Sequence, residues 1–153
     1  MRVEKRNTDK SIEAFTLVEL TILLVVLALL ATAAIPRVGL MIESSKKAAT
    51  LQEMQEIKRA IVGDPTVTAG GQLVSPGYEG DVGSPPPNLS GLVSKPSSVP
   101  AYNRFTRSGW NGPYIDSDNN EYMKDAWNTT YQYDSSARTI TSTGGSETLV
   151  ITF

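Results

Sequence analysis

The sequence contains neither histidine nor cysteine. Without cysteine there are no disulfide staples, thiolate zinc sites or cysteine nucleophiles. Without histidine the usual general base and the commonest transition-metal ligand are missing. A Ser-His-Asp or Cys-His enzyme is therefore excluded, and no enzymatic activity is expected. The chain also lacks an excess of either charge: 14 basic and 16 acidic side chains give a formal net charge of -2. Nucleic-acid binding needs a basic surface that neutralises phosphates, so that class of partner is not expected. The length of 153 residues and the apolar fraction of 40% match one ordinary soluble domain. That average conceals three unlike parts.

Residues 1–14 form a polar leader in which Arg2, Lys5, Arg6 and Lys10 outweigh Glu4, Asp9 and Glu13 by one charge. Residues 20–35 carry no charge at all, and only Thr21 and Thr32 among them are not apolar. Counting from Phe15, a 21-residue stretch is interrupted by a single acid, Glu19. As a helix it is about 31 Å long, close to the ~30 Å hydrocarbon thickness of a bilayer. The basic leader predicts a cytoplasmic N-terminus by the positive-inside rule.

Helical periodicity continues past the apolar run. Leu51, Met54, Ile57 and Ile61 fall on one helix face, with Glu53, Glu56, Lys58 and Arg59 elsewhere on the wheel. Gly63 followed by Asp64-Pro65 is a helix stop. The pattern thus predicts one helix over 15–62, about 70 Å long, membrane-spanning to about residue 36 and amphipathic beyond. Residues 64–113 then hold eight glycines and eight prolines, which forbids long regular elements. Tyr78, Leu89, Leu92, Val93, Tyr102, Phe105 and Trp110 give this segment side chains to bury, and 88–93 suits a short helical turn. The last forty residues read as strands: Tyr131–Tyr133, a turn at 134–137, Arg138–Ser142, a tight turn at Gly144-Gly145-Ser146, and Thr148–Phe153. Leu149, Ile151 and Phe153 share one face and are expected against the amphipathic half of the helix. Ten of the eleven aromatics lie beyond residue 77, which places the globular core there.

Three readings of the apolar segment are open on these grounds. Ala31-Thr32-Ala33 fits the small-residue cleavage pattern of a secretory signal peptide, and a plain single-span anchor fits the length. Against the signal peptide stand the long, acid-compensated leader, the length of the apolar run and the helical pattern that resumes after Pro36.

The third reading comes from Ala14-Phe15-Thr16-Leu17-Val18-Glu19-Leu20, which resembles the processing site of type IV prepilins and type II secretion pseudopilins. The resemblance implies that a prepilin peptidase cuts between Ala14 and Phe15 and methylates the new amine of Phe15. Glu19 then becomes the fifth mature residue, where the family keeps a glutamate, and Pro36 the twenty-second, where many members carry proline. Ala14 departs from the family's glycine at the cut, and Ala28 from a glycine common in relatives. The physics of the segment gives these roles independent grounds. A lone carboxylate in an apolar span costs roughly 2.5–3.5 kcal/mol and calls for a partner or a function. No basic side chain lies between residues 15 and 36, whereas cleavage before Phe15 creates a cation about 6 Å along the helix from Glu19. In the family this glutamate pairs with the terminal amine of the adjoining subunit. The alternative is a hydrated glutamate at the membrane surface. Pro36 lacks an amide hydrogen and clashes with the Thr32 carbonyl, so a kink or an opening of the helix is expected there.

Further along, Gly112-Pro113-Tyr114-Ile115 and Asp125-Ala126-Trp127-Asn128-Thr129-Thr130-Tyr131-Gln132-Tyr133 resemble the Gly-Pro-Tyr and Asp-Pro-Trp-Gly-x-x-Tyr-x-Tyr pattern of major pseudopilins. Alanine replaces the proline at 126 and asparagine the glycine at 128. The alternative for these residues is ordinary aromatic core and turns. Major pseudopilins commonly hold calcium in an acidic C-terminal loop, but Thr141–Glu147 offers a single acid where that ion wants six to eight oxygens. The run Asp116–Glu121 looks superficially like the start of an EF-hand, yet lacks the turn glycine and the closing glutamate. No cofactor and no metal are therefore expected.

The resemblance implies an α+β, type IV pilin-like fold: a leader over 1–14, a long helix over 15–62 and a loop-rich antiparallel head over 63–153. It implies a structural filament subunit, a major pseudopilin that polymerises from the inner membrane to drive protein export. The partners so implied are copies of itself, minor pseudopilins or pilins, the prepilin peptidase, the inner-membrane assembly platform, and lipid before assembly. The precursor would span the inner membrane once, with its head in the periplasm, and end in a periplasmic pseudopilus or a surface filament. A type IV pilin serving adhesion, motility or DNA uptake is the alternative, and a membrane-anchored binding module a further one.

Overall fold

The computed structural model describes residues 15–116 and 122–153. The leader with Ala14, and all but Asp116 of the EF-hand-like run, lie outside the described residues. The elements in chain order are α1 (Leu17–Val62), β1 (Thr68–Ala69), β2 (Gln72–Leu73), α2 (Gly77–Val82), a 3-10 turn (Leu89–Leu92), β3 (Gln132–Asp134), β4 (Thr139–Ser142) and β5 (Leu149–Thr152). The fold is α+β, as expected. The chain divides into two compact units, Met1–Met41 and Ile42–Phe153.

In the first unit the described side chains are exposed from Phe15 to Met41, among them Leu17, Leu23 and Leu30. Among the described residues, no helix is long and apolar enough to cross a membrane.

The second unit is built around the end of α1. Met54, Ile57 and Ile61 are fully buried, as their spacing predicts, while Leu51 is only half-buried. Burying each such side chain is worth about 1.5–3 kcal/mol. α1 ends at Val62, where Gly63 takes φ 88°, the left-handed conformation expected of a glycine stop. Three antiparallel strands in the order β3-β4-β5 form the sheet, with Tyr133 opposite Ile140 and Ile140 opposite Ile151. Ile140, on the central strand, is fully buried, and Leu149 and Phe153 are buried in the same core as Met54 and Ile57. The strand expectations hold to within about a residue at each end.

The Gly/Pro-rich segment is more ordered than its composition suggests. Its turn at 89–92 is capped by Asn88, whose side chain accepts from Gly91 N–H. A glycine-linked hairpin pairs Thr68 with Leu73. A helical turn and a half, α2, was not expected because Gly77 and Gly80 are poor helix formers. Tertiary packing overrides that propensity: Tyr78 and Asp81 on α2 are buried.

One expectation for the core is overturned. Tyr78, Leu89 and Leu92 are buried, but Phe105 is 84% exposed and Tyr102 36%. The cause is a tight loop in which Asn103 N–H donates to Ser108 O at 2.8 Å and Phe105 N–H to Asn103 Oδ1 at 2.9 Å. That loop turns the Phe105 ring outward, where the Arg104 guanidinium lies 5.1 Å from its centre.

Candidate functional site

The two groups of residues that matter lie in different units. In the first, α1 begins at Leu17, and the Thr16 hydroxyl accepts from Glu19 N–H at 3.2 Å. Thr16 is thus the N-cap, and Thr16-x-x-Glu19 has the sequence of a capping box. This role went unread in the sequence, although Ser/Thr three residues before Glu is its known signal. Phe15 precedes the helix and is 73% exposed. Glu19 is exposed in the first turn, where the helix dipole favours an acid. Pro36 falls within the span of α1.

In the second unit, the turn at 125–128 joins the sheet to α1. Asp125 is 5% exposed, and its carboxylate accepts four hydrogen bonds. Trp127 N–H and Thr129 N–H reach Oδ1 at 3.0 and 2.8 Å, while the Ser142 hydroxyl and Gly144 N–H reach Oδ2 at 2.6 and 3.1 Å. Asn128 takes φ 66°, so the residue that stands for the family's glycine is the side chain that best tolerates the left-handed region. The alanine at 126 has a use that proline would not. Its N–H donates to Thr50 Oγ1 at 3.1 Å, which satisfies a hydroxyl fully buried on α1. Trp127 Nε1 donates to both oxygens of Glu43, at 3.1 and 3.3 Å, and Lys47 pairs with Glu147. The Tyr131 hydroxyl donates to Glu53 Oε2 at 2.7 Å. Burial, with Glu53 adding to it, pushes that phenol well above its ordinary value.

The aromatic pattern is used in the same way at the other end of the head. The Tyr114 hydroxyl accepts from Asn111 N–H at 2.9 Å and donates to Asp81 at 3.0 Å, with Tyr78 and Trp110 packed edge-on against its ring. Tyr133 donates to Pro86 O at 2.8 Å and stacks on Phe153, and burial pushes its phenol up to about 12. Among the described residues no buried side-chain polar atom lacks a hydrogen-bond partner, and no cluster of three or more acids could hold a metal.

Arg138 ties α2 to the sheet. Its guanidinium makes two parallel 2.8 Å bonds to Glu79, and Nε donates to Phe153 O at 2.7 Å. This arginine, foremost by hydrogen bonding, holds the Glu79 carboxyl below its ordinary value. A carboxyl lowered by folding stabilises the protein above its unfolded value, and the contribution disappears as pH falls through the folded value. The pair is partly exposed, so solvent screens it and the effect is modest. Glu79→Gln should therefore narrow the gap in unfolding midpoint between pH 7 and pH 3. An unchanged acid dependence would show that the pair carries none of it.

The family model described as type II secretion system (T2SS), protein G matches residues 74–147. The match runs from the residue after β2 to the β4–β5 loop and takes in the Tyr114 and Asp125–Tyr133 motifs. No curated protein and no solved structure matches the chain. The matched family consists of structural pseudopilins rather than enzymes. The head over residues 74–147 is thus similar to type II secretion system protein G, which supports a pseudopilin-like reading of the chain.

Proposed function

We propose that the chain is the precursor of a major pseudopilin whose mature form, starting at Phe15, polymerises into a membrane-rooted periplasmic filament. The observation that carries this reading is the joint occurrence, in one chain, of a head similar to type II secretion system protein G over 74–147 and the Phe15–Glu19 motif at the start of a 46-residue helix. Prepilin peptidase removes residues 1–14 and methylates Phe15. Before assembly, the apolar half of α1 anchors the subunit in the inner membrane. In the filament, copies of the same helix replace lipid around the side chains exposed from Leu17 to Met41. Glu19 pairs with the amine of a neighbouring copy, and the stretch before Pro36 yields as the subunit leaves the bilayer. Minor pseudopilins and the inner-membrane platform are its other partners. The head needs no bound cofactor for this work.

Mass spectrometry of the mature protein from a host with a working prepilin peptidase tests the reading. N-methylated Phe15 is expected at the terminus. Intact Met1 alone would make the protein a plain anchored module, and Ala34 a secreted domain; either result sinks the proposal. Deletion of the gene should stop protein secretion, whereas loss of surface motility alone would identify a pilus subunit instead.

A further inference from the structure

The resemblance to major pseudopilins implies a calcium ion in the loop between the last two strands, and the donor set found there does not fit one. A carboxylate has about four lone-pair positions, and Asp125 has committed them to four donors. The loop lies directly on that carboxylate. A Cβ added to Gly144 would sit 2.4 Å from Asp125 Oδ2, and one on Gly145 would sit 2.8 Å from the Trp127 ring. The loop's single acid, Glu147, is paired with the Lys47 ammonium, which also repels a cation. Calcium needs six to eight oxygens at about 2.3–2.6 Å. The groups facing Oδ1 and Oδ2 are instead N–H and O–H donors aimed inward.

We propose that the Asp125 carboxylate itself is the closing element of this head. It holds the β4–β5 loop through Ser142 and Gly144, and holds its own turn through Trp127 and Thr129. The Ala126–Thr50 bond then fastens that turn to α1. The β4–β5 loop consequently closes without calcium. The inference is independent of the filament reading, because it concerns folding of the head whether or not the protein polymerises.

Thermal unfolding of the full chain in detergent micelles, followed by tryptophan fluorescence in millimolar calcium and in EGTA, tests it. Midpoints agreeing to within about 1 °C are expected for the unaltered protein. Asp125→Asn should lower the midpoint by about 5–10 °C, equally in both buffers. If that variant does not fold, Ser142→Ala serves: it keeps the carboxylate, removes one donor and should lose about 4 °C in each buffer. A calcium-dependent rise in the midpoint of the unaltered chain, or variants that lose no stability, would overturn the proposal.

Discussion

Glu19→Ala should be processed normally and yet enter filaments roughly 30- to 4000-fold less well. The estimate follows from the cost of removing one partner of a desolvated charge pair, about 2–5 kcal/mol, at tenfold per 1.4 kcal/mol. Processing should survive because the start of α1 does not depend on the Glu19 side chain. It is the backbone N–H of residue 19 that bonds Thr16, and alanine keeps that N–H. The Glu19→Gln variant separates charge from shape, and it should assemble as poorly as the alanine variant. Immunoblots of sheared filaments against membrane fractions, with a mass check of the terminus, give both readouts. Normal incorporation of either variant would remove the charge-pairing step from the mechanism.

The largest expected loss of stability is at Gly77, where the chain crosses the end of α1. This residue has φ 68°, and a Cβ there would lie 2.3 Å from Gly63 N and 2.7 Å from Ile61 O. The obstacles are backbone atoms at a helix terminus, which cannot swing aside as a side chain would. Gly77→Ala combines a strained conformation of about 1–2 kcal/mol with a forced displacement of α2 from α1. A total of about 4 kcal/mol or more is expected, a large share of the 5–15 kcal/mol by which domains are usually stable. Urea unfolding should show a much lower midpoint, or no folded baseline. A drop under about 1 kcal/mol would mean that the crossing can widen at little cost.

The parts of the fold that were legible in the sequence are those with a repeating pattern. Met54, Ile57 and Ile61 announce a buried helix face, Gly63 its end, and Leu149 and Phe153 the buried side of the last strand. The parts that were not legible are set by single contacts between distant residues. Thr50 falls on the same face, four residues before Met54, but an apolar pattern passes over a hydroxyl whose partner, the N–H of Ala126, lies far along the chain. Phe105 carries the composition of a core residue, but hydrogen bonds within six residues turn it out. α2 forms against the propensity of its glycines because Tyr78 and Asp81 find partners in the core. At the N-terminus the sequence was read for its resemblance to a processing motif, and the same letters hid Thr16 as a helix cap.

The way the head is closed also fixes the order in which it is completed. The bonds that cover the base of α1 come from far downstream: Glu43 waits for Trp127, Glu53 for Tyr131, Lys47 for Glu147 and Lys58 for the carbonyl of Thr152. Such long loops close slowly, and the topology favours a late, cooperative folding step. Until β5 arrives, Met54, Ile57 and Ile61 form an uncovered apolar stripe on a helix already made. A nascent chain is then most open to chaperones, and to mispairing with its neighbours, during synthesis of its final thirty residues.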